Sequence, residues 1–267
     1  MYSEKMRDEG YSPKISIITV SYNAEATIGR AIESVLCQSY KNLEYIVIDG
    51  ASTDQTTAVL DRYSQEICMI MSEPDHGIYD AMNKGLLKCS GDYVIFMNSG
   101  DTFTNRTVLS NVEKAISKST FIPDLVYGNY RESCGDWKST IIPARSHRKA
   151  WYGAFASHQS TFYRVSFLRE KGFLYDLNYQ IAADYKLNLQ VVSMSEHVLK
   201  IDLCVSDFDV AGVSNQHRKL GRIEADIARK EVLHLSWFKR KMILCAQICA
   251  LALKTYLRPL YHVLRYS

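Results

Sequence analysis

The chain is 267 residues long, 47% hydrophobic and 23% charged, with 13 Gly and 5 Pro, which excludes collagen-like, low-complexity and wholly disordered polymers and leaves enough apolar mass for one or two cores. Its net charge of +3 hides an asymmetry: residues 213–267 hold eleven Lys or Arg against three Asp or Glu, so a mildly acidic body carries a basic tail. Seven scattered cysteines, an odd number without a C-x-x-C pair, exclude a disulfide framework or zinc site as the organising device and fit a reducing compartment.

Residues 1–13 mix both charge signs and lack an apolar run, so they read as a polar leader without a secretory signal, and the body is expected in the cytoplasm. Lys14 to Val20 is a β-branched run of buried-strand length, and Ala26 to Leu36 places Ile28, Ala31, Ile32, Val35 and Leu36 at helical spacing. Leu43 to Ile48 is a second strand, and Thr56 to Tyr63 a helix with Asp54 as its candidate N-cap. A short strand near Cys68 to Met71, a helix from Ile78 to Leu87 and a strand from Tyr93 to Met97 continue the alternation. Further on, the pattern predicts a helix over Val108 to Ser117, a strand over Leu125 to Tyr130, a loop or hairpin through Cys134 to Ile142 and a strand over Ser157 to Arg164. A helix over Asp184 to Val192 and a strand over Val198 to Val205 complete the body. Strands alternating with helices, and polar residues gathered where strands end, imply an open, mostly parallel central sheet flanked by helices, with its ligand at the strand C-termini.

The last fifty residues differ. Met242 to Leu253 is apolar but for one residue and is bracketed by Lys239, Arg240, Lys241 and Lys254, with Trp237, Tyr256 and Tyr261 nearby. Twelve residues fall short of the roughly 20 that span a bilayer. The segment reads as an interfacial anchor, the alternative being a helix packed on its own domain or on a second copy.

Carboxylates at strand ends are the first candidates for chemistry, because a buried strand that stops in acid must offer it to a cation, a ligand or a helix terminus. Asp49, Asp75 and Asp101 qualify. Asn98-Ser99-Gly100-Asp101 is a tight turn able to present two side-chain oxygens to a hard divalent cation, or merely to cap the strand. Asp49 opens a turn with Gly50 and Ser52, where it can accept from a nucleobase or cap the next helix. The segment SEPDHGIYDAMNKG crowds Glu73, Asp75, Asp80, Asn83 and Lys84 around one loop, more polar groups than a core needs. No P-loop, dinucleotide fingerprint, nucleophile elbow or zincin motif occurs, and no basic, aromatic-interleaved surface points to nucleic acid.

SIITVSYNAEATIGRAIESVLCQSY, EYIVIDGASTDQT, SEPDHGIYDAMNKG, YVIFMNSGD and a later ADY, in this order over residues 14–212, resemble a family 2 glycosyltransferase of the GT-A fold. SEPDHGIYDAMNKG together with MNSGD and SHQSTFYR is similar to the bacterial colanic acid glycosyltransferases and related capsule or exopolysaccharide enzymes. The resemblance implies a GT-A domain over 14–212, with a nucleotide-sugar part over 14–106 and an acceptor part over 107–212; the basic helical tail over 213–267 is read from its own residues as a membrane-surface anchor. It implies that Thr19, Val20, Ser21, Asn23 and Ser52 hold the nucleotide, that Asp49 binds the base edge, and that Asp75 and Lys84 line the donor cleft. The D-x-D metal motif falls on Asn98, Ser99, Gly100 and Asp101, with Asn98 replacing the first acid and Asp101 as principal ligand of Mg2+ or Mn2+. The catalytic base falls on Asp184, which alone would read as an N-cap. His158 and Gln159 are placed toward acceptor or phosphate, and His217 and Arg218 near the diphosphate, behind a closing loop at Gly212-Val213-Ser214.

The expected activity is therefore inverting transfer of a sugar from a nucleotide diphosphate donor, UDP-sugar favoured and GDP-sugar as the alternative, to a lipid-linked saccharide at the inner face of the cytoplasmic membrane, without nucleic acid as partner. A sugar nucleotidyltransferase would need a Gly-rich basic loop after the first strand, where SYNAEATIG stands instead. An inactive saccharide-binding relative is favoured by Asn98 alone.

Overall fold

The computed structural model describes residues 12–134, 137–209 and 217–256. The expected leader up to residue 11, the Gly212-Val213-Ser214 loop and residues 257–267 lie outside the described residues. Its first half alternates β1 (Ile15–Ser21), α1 (Ile28–Leu36), β2 (Leu43–Asp49), α2 (Thr56–Arg62), β3 (Met69–Ser72), α3 (Ile78–Lys88) and β4 (Tyr93–Phe96). β3, β2, β1 and β4 lie side by side in that order, all parallel. β1, β2 and β4 are apolar on both faces and each feeds both of two cores. Ile15, Ile17, Tyr45, Val47, Tyr93 and Ile95 face the α1 side with α4 (Val108–Ser117), whereas Ile18, Val20, Ile46, Ile48, Val94 and Phe96 face α3. The period-two switch within each strand yields a three-layer sandwich. Gly85 brings α3 close to β1: a Cβ there would stand 2.6 Å from Cγ2 of Ile18.

The second half is mixed rather than parallel. It contains β5 (Thr102–Phe103), β6 (Leu125–Cys134), β7 (Trp137–Lys138), β8 (Thr161–Arg164), α5 (Val165–Lys171), α6 (Ala183–Met194) and β9 (Val198–Asp209). β8 pairs antiparallel with β4 and β6, β9 runs parallel to β6, and β5 and β7 add short antiparallel pairs at β9 and β6. The strand expected over Ser157 to Arg164 begins only at Thr161, because His158–Ser160 forms a 3-10 turn. β9 runs four residues beyond its expected end and delivers Asp207 and Asp209 to the same rim as Asp101.

The C-terminal segment is two different objects. α7 (Arg218–Leu233) packs on α6, burying Glu224, Ala228 and Arg229, so the boundary expected at residue 213 does not separate a tail from the body. The next helix, α8 (Trp237–Tyr256), touches the body along a narrow stripe through Ile243, while Trp237, Phe238, Met242 and Ile248 stay exposed. Among the described residues no helix is long and apolar enough to cross a membrane.

Candidate functional site

The C-terminal ends of β2, β1 and β4 are neighbours, so the polar turns after them meet at one edge. Asp49 is fully buried there and saturated. Its Oδ1 accepts from Ser21 Oγ (3.0 Å) and Ser52 Oγ (2.5 Å), and its Oδ2 from the Ser52 amide (2.9 Å) and Ser72 Oγ (2.7 Å). Four donors fill the lone pairs of a carboxylate. Asp49 thus builds the rim, including Ala51 at φ 58°, rather than presenting a free edge to a base. Asn23, at φ 48°, carries its amide to Ser52 Oγ (2.8 Å) and accepts from the Thr53 amide (2.9 Å), locking the β1 turn to the β2 turn.

Thr19 and Val20 are not brought to the surface of this edge. Both are buried, and the Thr19 hydroxyl donates to the Met97 carbonyl (2.7 Å) and lies 3.0 Å from Tyr45 Oη inside the sheet. Asp75 closes an Asx turn onto the Gly77 amide (2.8 Å), and Gly50 makes room for it, since a Cβ there would lie 2.5 Å from its Oδ2. Lys84 is held by its own loop, through the Pro74 carbonyl (2.8 Å), Glu73 (2.9 Å) and Asp80 (3.6 Å).

Asp101 is only 4% exposed and accepts from Gln159 Nε2 (2.7 Å) and the Asp209 amide (2.9 Å). Burial, aided by the neighbouring Asp209 charge, pushes its carboxyl up to about 7 against those two hydrogen bonds. Gly100 allows the Asp209 side chain to close in, a Cβ there meeting it at 3.3 Å, and Arg30 ties the pair by donating to the Gly100 carbonyl (3.2 Å) and standing 3.8 Å from Asp209. Asp101 and Asp209 carry oxygen donors of the kind Mg2+ or Mn2+ takes, and Asn98 stands in the same turn, its carbonyl accepting from the Asp101 amide (2.9 Å). No group of three His, Cys, Asp or Glu able to hold an ion is found among the described residues, so a cation here would need oxygens from its ligand as well.

Beside this set opens a cavity of about 240 Å3 lined by Asn98, Gln159, His158, Tyr79, Tyr130 and Asp184, among others. Asp101 reaches it only through Gln159. Asp184 enters from the first turn of α6, and burial raises it to about 6, while the Tyr185 amide (2.7 Å) lowers it and the Glu224 charge raises it further. A carboxylate of that basicity is ionised at neutral pH and is a better proton acceptor than a solvated aspartate. His158, 8% exposed, stacks on Phe96 at 5.4 Å and has neither ring nitrogen hydrogen-bonded; burial drives it down to about 4, so it is a neutral imidazole. Asn98 Oδ1 and Tyr175 Oη are likewise buried without partners. Buried polar atoms rarely stay unsatisfied, and two of these residues, Asn98 and His158, line the cavity, where a polar ligand could satisfy them.

The loop that presents Asp184 is fixed from a distance. Glu224 of α7, 6% exposed, accepts from the amides of Gln180 (2.9 Å), Ile181 (2.9 Å) and Ala182 (2.8 Å), and Tyr79 Oη donates to the Ile181 carbonyl (2.7 Å). Sequence reasoning missed Glu224, whose separation of more than forty residues from its partners leaves no local signal. It also missed Asp209, which the strand-end rule finds once β9 is drawn to its full length. His217 and Arg218 begin α7 and do not line the cavity.

The family model described as Glycosyl transferase family 2 matches residues 16–174. An uncharacterized glycosyltransferase of Mycobacterium tuberculosis is 35% identical over 84% of this chain and 85% of its own. A PGL/p-HBAD biosynthesis glycosyltransferase of Mycobacterium bovis is 28% identical over 68% and 71%. Among solved structures, S. aureus TarS 1-349 in complex with UDP-GlcNAc aligns with TM-score 0.68 and 17% identity over 95% of this chain and 76% of that one. The mannosyltransferase PcManGT from Pyrobaculum calidifontis, in complex with GDP-Man and Mn2+, gives 0.63 and 18% over 95% and 81%. The family model covers more than half of the chain, the mycobacterial relative most of it, and the architecture is shared, so the chain belongs to glycosyl transferase family 2 and has the GT-A fold.

Proposed function

We propose that this glycosyltransferase is an inverting, divalent-metal-dependent enzyme that moves a sugar from a nucleotide diphosphate, UDP-sugar favoured and GDP-sugar the alternative, to a hydroxyl of a lipid-linked saccharide. Capsule, exopolysaccharide or O-antigen assembly at the inner face of the cytoplasmic membrane is the proposed setting, resting on the motif resemblance of SEPDHGIYDAMNKG, MNSGD and SHQSTFYR alone. One observation carries the reading: Asp184 shares its cavity with Asn98 and with the Gln159 amide that holds Asp101, so a proton acceptor faces the oxygen-rich rim across a space with unsatisfied polar walls.

In this reading Asp184 takes the acceptor hydroxyl proton as that oxygen attacks the anomeric carbon from the side opposite the nucleotide. Asp101 and Asp209, with Asn98, would hold Mg2+ or Mn2+, which when bound supplies positive charge to the leaving diphosphate. His158, being neutral, is assigned to a sugar hydroxyl rather than to phosphate. The rim formed by Ser21, Asn23, Asp49 and Ser52 shapes the nucleotide side. TarS in complex with UDP-GlcNAc and the mannosyltransferase in complex with GDP-Man and Mn2+ support a nucleotide-sugar donor and a metal.

The test is a panel of UDP-, GDP- and dTDP-sugars with Mn2+, read as donor hydrolysis and as calorimetric nucleotide binding. One donor is expected to be turned over, Asp184→Asn to lower turnover by about 100-fold or more with nucleotide affinity kept within about twofold, and Asp101→Ala to lose both. Near-native turnover in Asp184→Asn removes the base assignment.

A further inference from the structure

A second cavity, of about 390 Å3, opens between the turn at Trp151 and Tyr152 and the helix α8, with Leu235, Met242, Ile243 and Ala246 as walls and Lys239 at its edge. That volume falls within the roughly 300–1,000 Å3 of sites that enclose small ligands. The main-chain acceptors on its floor are already used. Arg229 donates to the carbonyls of Trp151 (2.8 Å) and Tyr152 (3.1 Å), Gln247 also donates to Tyr152, and Tyr185 Oη donates to the Ala150 carbonyl (2.7 Å). A docked peptide would therefore leave its own backbone groups unsatisfied, whereas a hydrocarbon chain has none to satisfy.

The charge around the groove is mostly basic, Asp226 of α7 being taken up by Arg240 of α8. Residues 137–169 and 232–250, which supply both walls, contain no Asp or Glu, and Arg148, Lys149, Lys239 and Lys241 are exposed. An apolar slot with a cationic edge matches an amphiphile with an apolar chain and an anionic head. The groove also adjoins the catalytic cavity, because Tyr152 lines one and Ala154 the other, and two residues span at most about 7 Å. Between them the Arg145 guanidinium lies 5.7 Å from the Tyr152 ring centre and donates to the Ala154 carbonyl.

We propose that this groove holds the hydrocarbon chain of the lipid-phosphate-linked acceptor, with the phosphate beside Arg145 and Lys239 and the saccharide passing over Ala154 toward Asp184. This inference rests on the lipid-linked acceptor named above. It makes Trp151, Met242 and Ala246 determinants of acceptor binding.

The experiment uses the full chain with Trp137→Phe and Trp237→Phe, which leaves Trp151 as the fluorescent reporter, titrated with farnesyl phosphate below its aggregation concentration. A saturable shift in emission is expected, absent with inorganic phosphate and at least about tenfold weaker with farnesol. Ala246→Phe, which fills the groove, and Met242→Asp, which charges its wall, are each expected to raise the half-saturation concentration at least about tenfold, with nucleotide affinity within about twofold of the parent. That nucleotide readout separates a wrong groove from a wrong enzyme class. The proposal is overturned by the absence of a saturable shift, by equal titrations in parent and variants, or by a shift seen only with phosphatidylglycerol vesicles, which would make this face a bilayer-resting surface. Binding by a chain ended at Tyr256 but not by the full chain also overturns it, since residues 257–267 would then be the occupant.

Discussion

Replacing Glu224 by alanine tests whether α7 belongs to the catalytic machinery. The carboxylate receives three backbone amides at 2.8–2.9 Å in a buried setting, and hydrogen bonds to a charged group contribute about 1.5–3 kcal/mol each. The three share one acceptor and are not additive, so the expected loss is about 3–5 kcal/mol rather than their sum. For a chain of this size, about 1 kcal/mol lowers Tm by roughly 2–4 °C, which puts the drop at about 6–20 °C in a thermal melt. Stability alone does not identify the role, so the conservative Glu224→Gln is assayed beside it. That variant keeps one oxygen for the loop but removes the charge that raises Asp184. Its acid limb of kcat/KM is expected to move to lower pH, and turnover to fall as the loop loosens. A Tm within about 2 °C of the parent for Glu224→Ala, or an unmoved acid limb for Glu224→Gln, refutes the reasoning.

Transfer depends on ionised Asp184, so kcat/KM should fall about tenfold per pH unit below about 6 and level off above it, as read from initial rates between pH 4.5 and 8. Asp101 titrates well above a free aspartate, so the folded chain binds its proton more tightly than the unfolded one. Its contribution to stability is present below about 4 and lost as pH rises through about 7, at most about 4 kcal/mol, and in cation-free melts Asp101→Asn should gain on the parent between pH 5 and 8. His158→Phe should melt at or above the parent temperature, because the ring stays stacked and two unpartnered nitrogens vanish, while the KM for the sugar donor or acceptor rises about tenfold. Gly85→Ala forces a methyl against Ile18 at 2.6 Å and should lower stability by about 1–3 kcal/mol in urea titrations.

The parallel half of the fold was readable because each strand there is a continuous apolar run that ends in a polar turn, and each helix repeats its apolar residues at 3.6 spacing. The second half was less so. His158–Ser160 winds into a 3-10 turn where the apolar pattern reads as strand, and β9 carries polar residues at its far end because they serve the site rather than the core. At the site, strand-end acids pointed to Asp49 and Asp101, but residue type does not tell a free carboxylate from a saturated one. Asp49 spends its lone pairs on three serines, and Thr19 hydrogen-bonds inward although the family resemblance assigns it to the nucleotide. The basic character of residues 213–267 concealed Glu224 and Arg229, whose burial is visible only when α7 lies on α6.

The two C-terminal helices also decide where the protein can be shortened. A trimmed version ending in the loop after Leu233 keeps the clasp on residues 180–182 and discards the exposed aromatic helix, so it should behave as a tractable reagent for soaking donors into crystals. Stopping at Asp209 instead retains every strand of the sheet yet frees the segment that aims Asp184, and would give a protein that looks complete in its far-ultraviolet spectrum while being unable to turn over.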